Sequence, residues 1–109
     1  MARFMGVYTG QPGARGQPDE AAIAKGMQAW SDWMARHADQ IVDAGGPLGK
    51  TKRVSRAGIA DAHNNIAAYV VVEAADHEAA ARLFQGHPHF SIFPGDGVDV
   101  MPCLPIPTA

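Results

Sequence analysis

The stretch that decides the fold is residues 65–73, NIAAYVVVE, which is the strongest candidate for a β-strand in the chain. Its centre is rich in β-branched and aromatic residues, which favour extended backbone. Successive side chains of a strand point to opposite faces of a sheet, so Val70 and Val72 face one way and Tyr69 faces the other. A strand with one face in water alternates apolar and polar residues, and this stretch does not. Both faces of the sheet are therefore expected to be covered.

The residues on either side of this strand predict one α+β domain over residues 1–109, with the ferredoxin-like order β-α-β-β-α-β. A first helix is predicted from Pro18, and it ends at residues 44–47, AGGP, where Gly and Pro stop a helix. Its apolar residues recur at helical spacing and form one buried stripe: Ile23, Met27, Trp30, Met34 and Ile41. The other predicted elements are strands over residues 2–8, 50–55 and 97–102, a loop over residues 9–18, and a helix from Asp76 to Gly86.

Two helices on one face of an antiparallel sheet leave the other face uncovered. Because residues 66–72 are apolar on both sides, we expect the open face to meet the sheet of a second copy, which gives a face-to-face homodimer. The alternative is a monomer in which this strand is apolar only because apolar residues favour strands.

The composition is typical of a small globular domain and excludes several classes of partner. Apolar residues make up 47% of the chain and charged residues 18%, so it has enough apolar surface to fold. The formal charge is −2, and the densest basic stretch, residues 49–58, is interpreted as a solvated hairpin rather than an anion site. We therefore expect neither nucleic acid nor a membrane as a partner. The single Cys103 and the short apolar N-terminus favour a cytoplasmic location.

Three stretches carry a resemblance to a known family: MQAWSDWMARHADQIVDAGGPLG at residues 27–49, AAYVVVEAADHEAAARLFQGHPHF at residues 67–90, and GVDVMP at residues 97–102. The most specific features are the Trp-x-x-Trp helix that runs into Ala-Gly-Gly-Pro and the Pro-bearing turn after the second helix. Over residues 3–102 the chain resembles the YCII-related (DGPF-type) proteins. The resemblance implies a dimeric α+β barrel.

The same resemblance implies a chemistry that this chain does not reproduce at the matching positions. Some YCII-like proteins act through a histidine on the first helix and an aspartate in an Asp-Pro dipeptide after the second helix, and one relative removes chloride from an aromatic ring. Here the dipeptide is His87-Pro88, and the helix position falls near Gln28 to Trp30, where there is no histidine. This activity is therefore not carried over.

His87 and His89 in the turn-rich segment GHPHFSIFPGDG are the candidate catalytic residues. Imidazole titrates near neutral pH, so one ring suits a general base and the other a second hydrogen-bonding group. A metal site needs a third ligand, and no spacing ties His37, His63, Asp96 or Asp99 to the pair. The third interpretation is structural: Pro88 shapes the turn and the two imidazoles cap backbone groups around it.

Trp33 and His37 are predicted to line a pocket for a flat ligand, because Trp33 lies at the edge of the helical stripe that holds Trp30. The alternative is that Trp33 packs on a partner chain or lies under the loop of residues 9–17. Tyr8 and Tyr69 are expected to present hydroxyls to the same cavity.

These residues favour a protein that binds a small planar organic molecule and performs acid–base chemistry without a cofactor. The alternative is a non-catalytic binding or regulatory module in which the histidines are structural.

Overall fold

A computed structural model describes residues 1–10, 19–93 and 95–107 of the chain. The elements are β1 (Ala2–Thr9), α1 (Glu20–Arg36), β2 (Ile41–Pro47), β3 (Thr51–Ser55), β4 (Gly58–Ala62), β5 (Ile66–Ala74), α2 (His77–Arg82), α3 (Pro88–Ser91) and β6 (Gly97–Pro102). Most of the loop predicted over residues 9–18, with the helix start predicted at Pro18, lies outside the described residues. No helix in the described ranges is long and apolar enough to cross a membrane.

The main sheet has the strand order β2-β5-β1-β6, and every neighbouring pair is antiparallel. Strands β3 and β4 form a separate two-stranded hairpin between β2 and β5. The central strands are β5 and β1, and β2 and β6 pair with them on the two sides. One helix follows β1 and another follows β5, which is the ferredoxin-like arrangement. The predicted α+β fold class is therefore confirmed.

The central strands have one face in the core and one partly exposed. On the core face, Gly6 lies opposite Val70 and Phe4 lies opposite Val72, and both valines are fully buried. On the other face, Val7 lies opposite Tyr69, and both side chains remain half-buried in the single chain. The helical side of the sheet thus holds the hydrophobic core.

The first helix is shorter than predicted, because its last predicted turns belong to a strand. The helix ends at Arg36, and Ile41 begins β2, which pairs with β5. The helical spacing of Ile41 does not make it part of the helix. Its backbone N–H bonds back to the His37 carbonyl oxygen at 3.1 Å, and from this residue the chain runs extended along the edge of β5. The strand predicted over residues 50–55 accordingly lies in the hairpin and not in the main sheet.

The predicted apolar stripe of α1 meets the core only in the second half of the helix, where Trp30 and Met34 pack against it. Ile23 and Met27 are exposed, whereas Gly26 and Trp33 are the buried residues of the helix. The reason is a close approach: a Cβ added to Gly26 would overlap the ring of Phe93. Only glycine lets the helix come this near, so the Gly26 side of α1 turns toward the body of the protein.

The second helix begins as predicted, at an Asp76 N-cap whose carboxylate accepts a hydrogen bond from the Ala79 N–H at 2.8 Å. The helix ends at Arg82 and not at Gly86 as predicted, and Leu83 is its C-cap. The chain then turns at Gly86, whose φ of 68° is in the left-handed region that glycine favours. This turn brings the short helix α3 back over the end of β1.

Candidate functional site

His87 is the centre of a cluster of aromatic rings between α1, α3 and the sheet. Its side chain is 0% exposed. The ring centroids of Trp33, Trp30 and Tyr8 lie 4.5, 4.7 and 5.0 Å from that of His87. Contacts at these distances, most of them tilted or edge-to-face, are the arrangement that aromatic rings prefer. The structure therefore brings residues from β1, α1 and α3 to one point.

The position of His87 follows from the start of α3. Pro88 occupies the first turn of this helix, and His87 is its N-cap. The Nδ1 atom of His87 accepts a hydrogen bond from the backbone N–H of His89 at 3.0 Å. A side-chain acceptor at this position satisfies a backbone donor that has no partner within the helix. The interpretation that an imidazole caps the turn thus has a direct counterpart in the structure.

The same hydrogen bond determines where the proton of His87 lies. A backbone N–H only donates, so Nδ1 carries the lone pair and the neutral ring holds its proton on Nε2. Nε2 lies 3.2 Å from the Tyr8 hydroxyl oxygen and donates to it. The Tyr8 O–H is then directed away from His87. The network assigns this tautomer and makes Tyr8 a hydrogen-bond donor.

His89 lies against the other side of Tyr8 and ties the end of β1 to the loop before β6. Its Nε2 donates to the carbonyl oxygen of Thr9 at 2.7 Å, and its ring stacks on Tyr8 at 5.2 Å. The side chain is 8% exposed. Gly95 packs on this ring so closely that an added Cβ would overlap it. Both imidazoles therefore make one structural hydrogen bond to the backbone.

Burial keeps the Tyr8–His87 pair uncharged at neutral pH. Burial is the largest cause that lowers the pKa of His87 to about 4, and the neighbouring imidazoles of His89 and His37 also lower it. Burial also raises the pKa of Tyr8 above its ordinary value of 10. The pKa of His37 is lowered, first by partial burial and then by the neighbouring Arg36. The Tyr8–His87 pair is therefore a neutral hydrogen-bonded pair at pH 7.

The two tryptophans of α1 differ from the prediction in how far each is buried. Trp33, predicted at the edge, is buried and donates its indole N–H to the Leu83 carbonyl oxygen at 2.9 Å. Trp30, predicted in the core, packs against it and is half-buried. The close approach of α1 at Gly26 explains this difference. His37 does lie beside Trp33, with ring centroids 5.0 Å apart, and remains partly exposed.

Tyr69 is not part of this cluster. Tyr69 lies opposite Val7, on the sheet face away from the helices, whereas Tyr8 lies on the helical face. Within the described ranges there is also no group of three or more His, Cys, Asp or Glu side chains arranged to hold a metal ion.

Trp30 and Phe93 belong to the cluster although the sequence does not indicate either as a site residue. Their rings lie 6.0 Å apart, both are partly exposed, and Trp30 contacts Tyr8 as well as His87. They form the side of the cluster that reaches the surface. Gly26 is the feature of the sequence that indicates this packing. A glycine inside a helix lowers the stability of the helix by about 1 kcal/mol relative to alanine, so its presence indicates a close approach of another residue.

Two grooves on the described surface lie beside the cluster rather than inside it. One has a volume of about 250 Å³ and is lined by Phe84, Phe90 and Val98 among others. The ring centroids of Phe84 and His87 are 6.1 Å apart. The other, of about 540 Å³, lies along α2 around His77 and Arg82. Neither groove is lined by His87 or His89.

Comparison with known proteins identifies the fold. No family model matches the chain, and no curated protein sequence matches it. Among solved structures the fold is similar to that of 5-chloro-2-hydroxyhydroquinone dehydrochlorinase (TftG) from Burkholderia phenoliruptrix AC1100, in complex with 2,5-dihydroxybenzoquinone. The TM-score is 0.57 at 14% identity, over 90% of this chain and 89% of that one. The chain therefore shares the α+β fold of this enzyme, as the family resemblance implied, while no sequence comparison supports the family itself.

Proposed function

We propose that the protein binds a small planar molecule bearing a ring oxygen beside Tyr8, and that it moves protons on this ligand without a cofactor. The observation that carries the proposal is the directed chain of hydrogen bonds from the His89 N–H through His87 to the Tyr8 oxygen. This series of hydrogen bonds ends at the Tyr8 hydroxyl, whose proton points away from His87. The hydroxyl is therefore suited to donate a hydrogen bond to an oxygen of the ligand.

The surroundings of Tyr8 support a flat ligand. The rings of Trp30 and Phe93 lie on the partly exposed side of the cluster, where an aromatic molecule stacks with little loss of conformational entropy. The structural neighbour is described as a complex with 2,5-dihydroxybenzoquinone, a planar ring with oxygen substituents. This likeness supports the class of ligand and does not identify the molecule.

The two imidazoles have different parts in the proposed reaction. Both ring nitrogens of His87 are hydrogen-bonded, so this residue orients Tyr8 and stabilises its oxygen when Tyr8 gives its proton to the ligand. The Nε2 atom of His89 donates a hydrogen bond to the Thr9 carbonyl oxygen, and its Nδ1 atom has no hydrogen-bond partner among the described residues. His89 is therefore the proposed base that removes a proton from the ligand, and Tyr8 is the proposed acid.

The variant Tyr8→Phe tests the binding step. It keeps the ring in the cluster and removes the hydroxyl, so we expect the affinity for 2,5-dihydroxybenzoquinone to fall about tenfold, the loss of one hydrogen bond to a ligand. Isothermal titration calorimetry measures this affinity directly. Tyr69→Phe removes the same group from the opposite sheet face and is the matched control. Equal affinity for the wild type and Tyr8→Phe would overturn the assignment of Tyr8.

The alternative, a non-catalytic binding module, is favoured by one observation: each imidazole is hydrogen-bonded to the backbone. The variant His89→Gln separates the two functions, since its amide N–H replaces Nε2 as donor to Thr9 and no base remains. An enzyme loses exchange of ligand hydrogens with deuterated solvent, as followed by NMR, and keeps ligand binding. A binding module shows no such exchange in the wild type.

We also propose that the protein is a homodimer whose sheets meet on the face away from the helices. Met5, Val7 and Val71 lie on that face, and they are apolar and half-buried in the single chain. Burying such a patch against a second copy removes it from water. Sedimentation velocity is expected to show twice the 11.5 kDa of one chain. Val71→Asp, which places a charge on this face, is expected to shift the protein toward monomer.

A further inference from the structure

The hairpin of β3 and β4 is exposed to solvent in the single chain. Every residue from 52 to 61 is exposed. Val54 and Ile59 face each other across the two strands and are 75% and 74% exposed. The neighbouring pair on the same face is the ion pair of Lys52 and Asp61. The hairpin thus presents an exposed apolar pair next to charged groups.

A hairpin of this size needs a partner to be stable. Two strands of five residues give an arm about 17 Å long, and an isolated two-stranded hairpin is at best marginally stable in water. The chain is also extended for its length: its radius of gyration is 15.6 Å, against about 13 Å for a compact domain of this size. The structure therefore holds an arm outside the body that its own core does not stabilise.

The charge of this arm is opposite to that of the rest of the chain. Residues 49–62 carry four cationic side chains and one carboxylate, a formal charge of +3. All other residues together carry five cationic side chains and ten carboxylates, a formal charge of −5. A basic arm on an acidic body is complementary to the body of an identical molecule, and this complementarity favours encounter in the right orientation.

We propose that the β3–β4 hairpin is an intermolecular arm that docks on the acidic body of a second copy, with the Val54–Ile59 pair at the contact. The proposal rests on the proposed homodimer and identifies the hairpin as the element that stabilises it. Two-fold symmetry makes the contact reciprocal, so each chain gives one arm and receives one.

The place of the arm relates the dimer to the candidate site. The chain enters the hairpin after β2, where the Leu48 N–H bonds to the Ala67 carbonyl oxygen at 2.9 Å. It leaves the hairpin next to Asn65, whose carbonyl oxygen accepts from the Gly10 N–H at 2.8 Å. Both points lie at the end of the sheet where Thr9 receives the His89 hydrogen bond. Docking of the arm therefore stabilises the end of the sheet that lies next to the proposed ligand.

The test is the dissociation constant of self-association, measured by sedimentation equilibrium for three forms of the full chain. The first is wild type. The second is the double variant Val54→Ser with Ile59→Ser, which keeps the turn and removes the apolar pair. The third replaces residues 51–62 by a short glycine link, which the ends permit because Thr51 and Ala62 are cross-strand partners. Circular dichroism establishes that each form is folded.

We expect the double variant to dissociate at least tenfold more readily than wild type, the link variant to be monomeric, and wild-type association to weaken in high salt. Unchanged association of both variants would overturn the arm and leave the sheet-to-sheet dimer intact. A monomeric wild type would overturn both, while ligand binding by Tyr8 is measured separately. Arm-dependent retention of a DNA duplex, with no change in self-association, would also overturn the proposal in favour of a nucleic-acid contact.

Discussion

Acid is expected to destabilise the folded protein through His87, and the structure gives the size of the effect. The ring is fully buried, and its pKa is about 4 in the folded chain, against 6.5 when it is exposed. Above pH 6.5 the ring is neutral in both the folded and the unfolded chain, and pH has no effect through this residue. Below that value the unfolded chain binds a proton that the folded chain does not.

The free energy of unfolding therefore falls as the pH decreases from 6.5 to about 4. Each pH unit in this window costs up to about 1.4 kcal/mol, so the accumulated loss is roughly 3 kcal/mol. Below about pH 4 the ring is protonated in both states and contributes no further change. A loss of this size is a large part of the total stability of a small domain.

Urea unfolding at a series of pH values measures this loss, with His87→Asn as the comparison. Asparagine is a good N-cap, so its side-chain oxygen replaces Nδ1 as acceptor of the His89 N–H, while it cannot bind a proton in this range. The variant is expected to be less stable at pH 7, because the smaller side chain leaves a cavity. Its stability is expected to fall less steeply than that of wild type as the pH is lowered.

Histidine NMR of the wild type gives the same test without a variant. We expect His87 to remain neutral with its proton on Nε2 until the pH approaches 4. The reasoning is refuted if His87 titrates near 6.5, if its proton lies on Nδ1, or if wild type and His87→Asn lose stability in parallel between about pH 7 and about pH 4.

Two further substitutions test the backbone arrangement by urea unfolding. Gly45→Ala is expected to lower the free energy of unfolding by about 3 kcal/mol, because Gly45 has a φ of 63° and an added Cβ would overlap the Tyr69 carbonyl oxygen; a loss under about 0.5 kcal/mol would contradict this packing. Asp76→Ala removes the N-cap of α2 and is expected to cost about 1 kcal/mol, whereas Asp76→Asn keeps an acceptor and should cost much less; equal losses would show that the cap is not the cause.

The fold class was predictable because its signals are local. The apolar run of β5 and the Asp76 cap each act through neighbouring residues, and the structure has them where the sequence indicated. The predicted stop of α2 at Gly86 is wrong, because the helix already ends at Arg82. β2 was not predictable. Its sequence, IVDAGGP, contains residues that disfavour strands, and it is extended because the edge of β5 offers it hydrogen bonds.

The candidate site was predictable in part for the same reason. His87 and His89 were found from a turn sequence, and the structure places both beside Tyr8. Periodicity also predicts that Trp30 packs against the core, as it does, but not how deeply each tryptophan is buried. A helical pattern gives the angles between residues and not the contacts that each residue finds, which is why Trp33 is buried and Trp30 only half-buried.

The sequence by itself determined the elements that depend on near neighbours: the central strand, the N-cap of α2, the turn at His87-Pro88 and the opposite charges of hairpin and body. Only the tertiary structure decided what depends on contacts between distant residues. Phe93 against Gly26 set the rotation of α1, and the pairing of β1 with β5 placed Tyr8 and Tyr69 on opposite faces. The hydrogen bond of Tyr8 to His87, which are 79 residues apart, assigned the proton. Such contacts form only when the whole chain packs, and no local pattern encodes them.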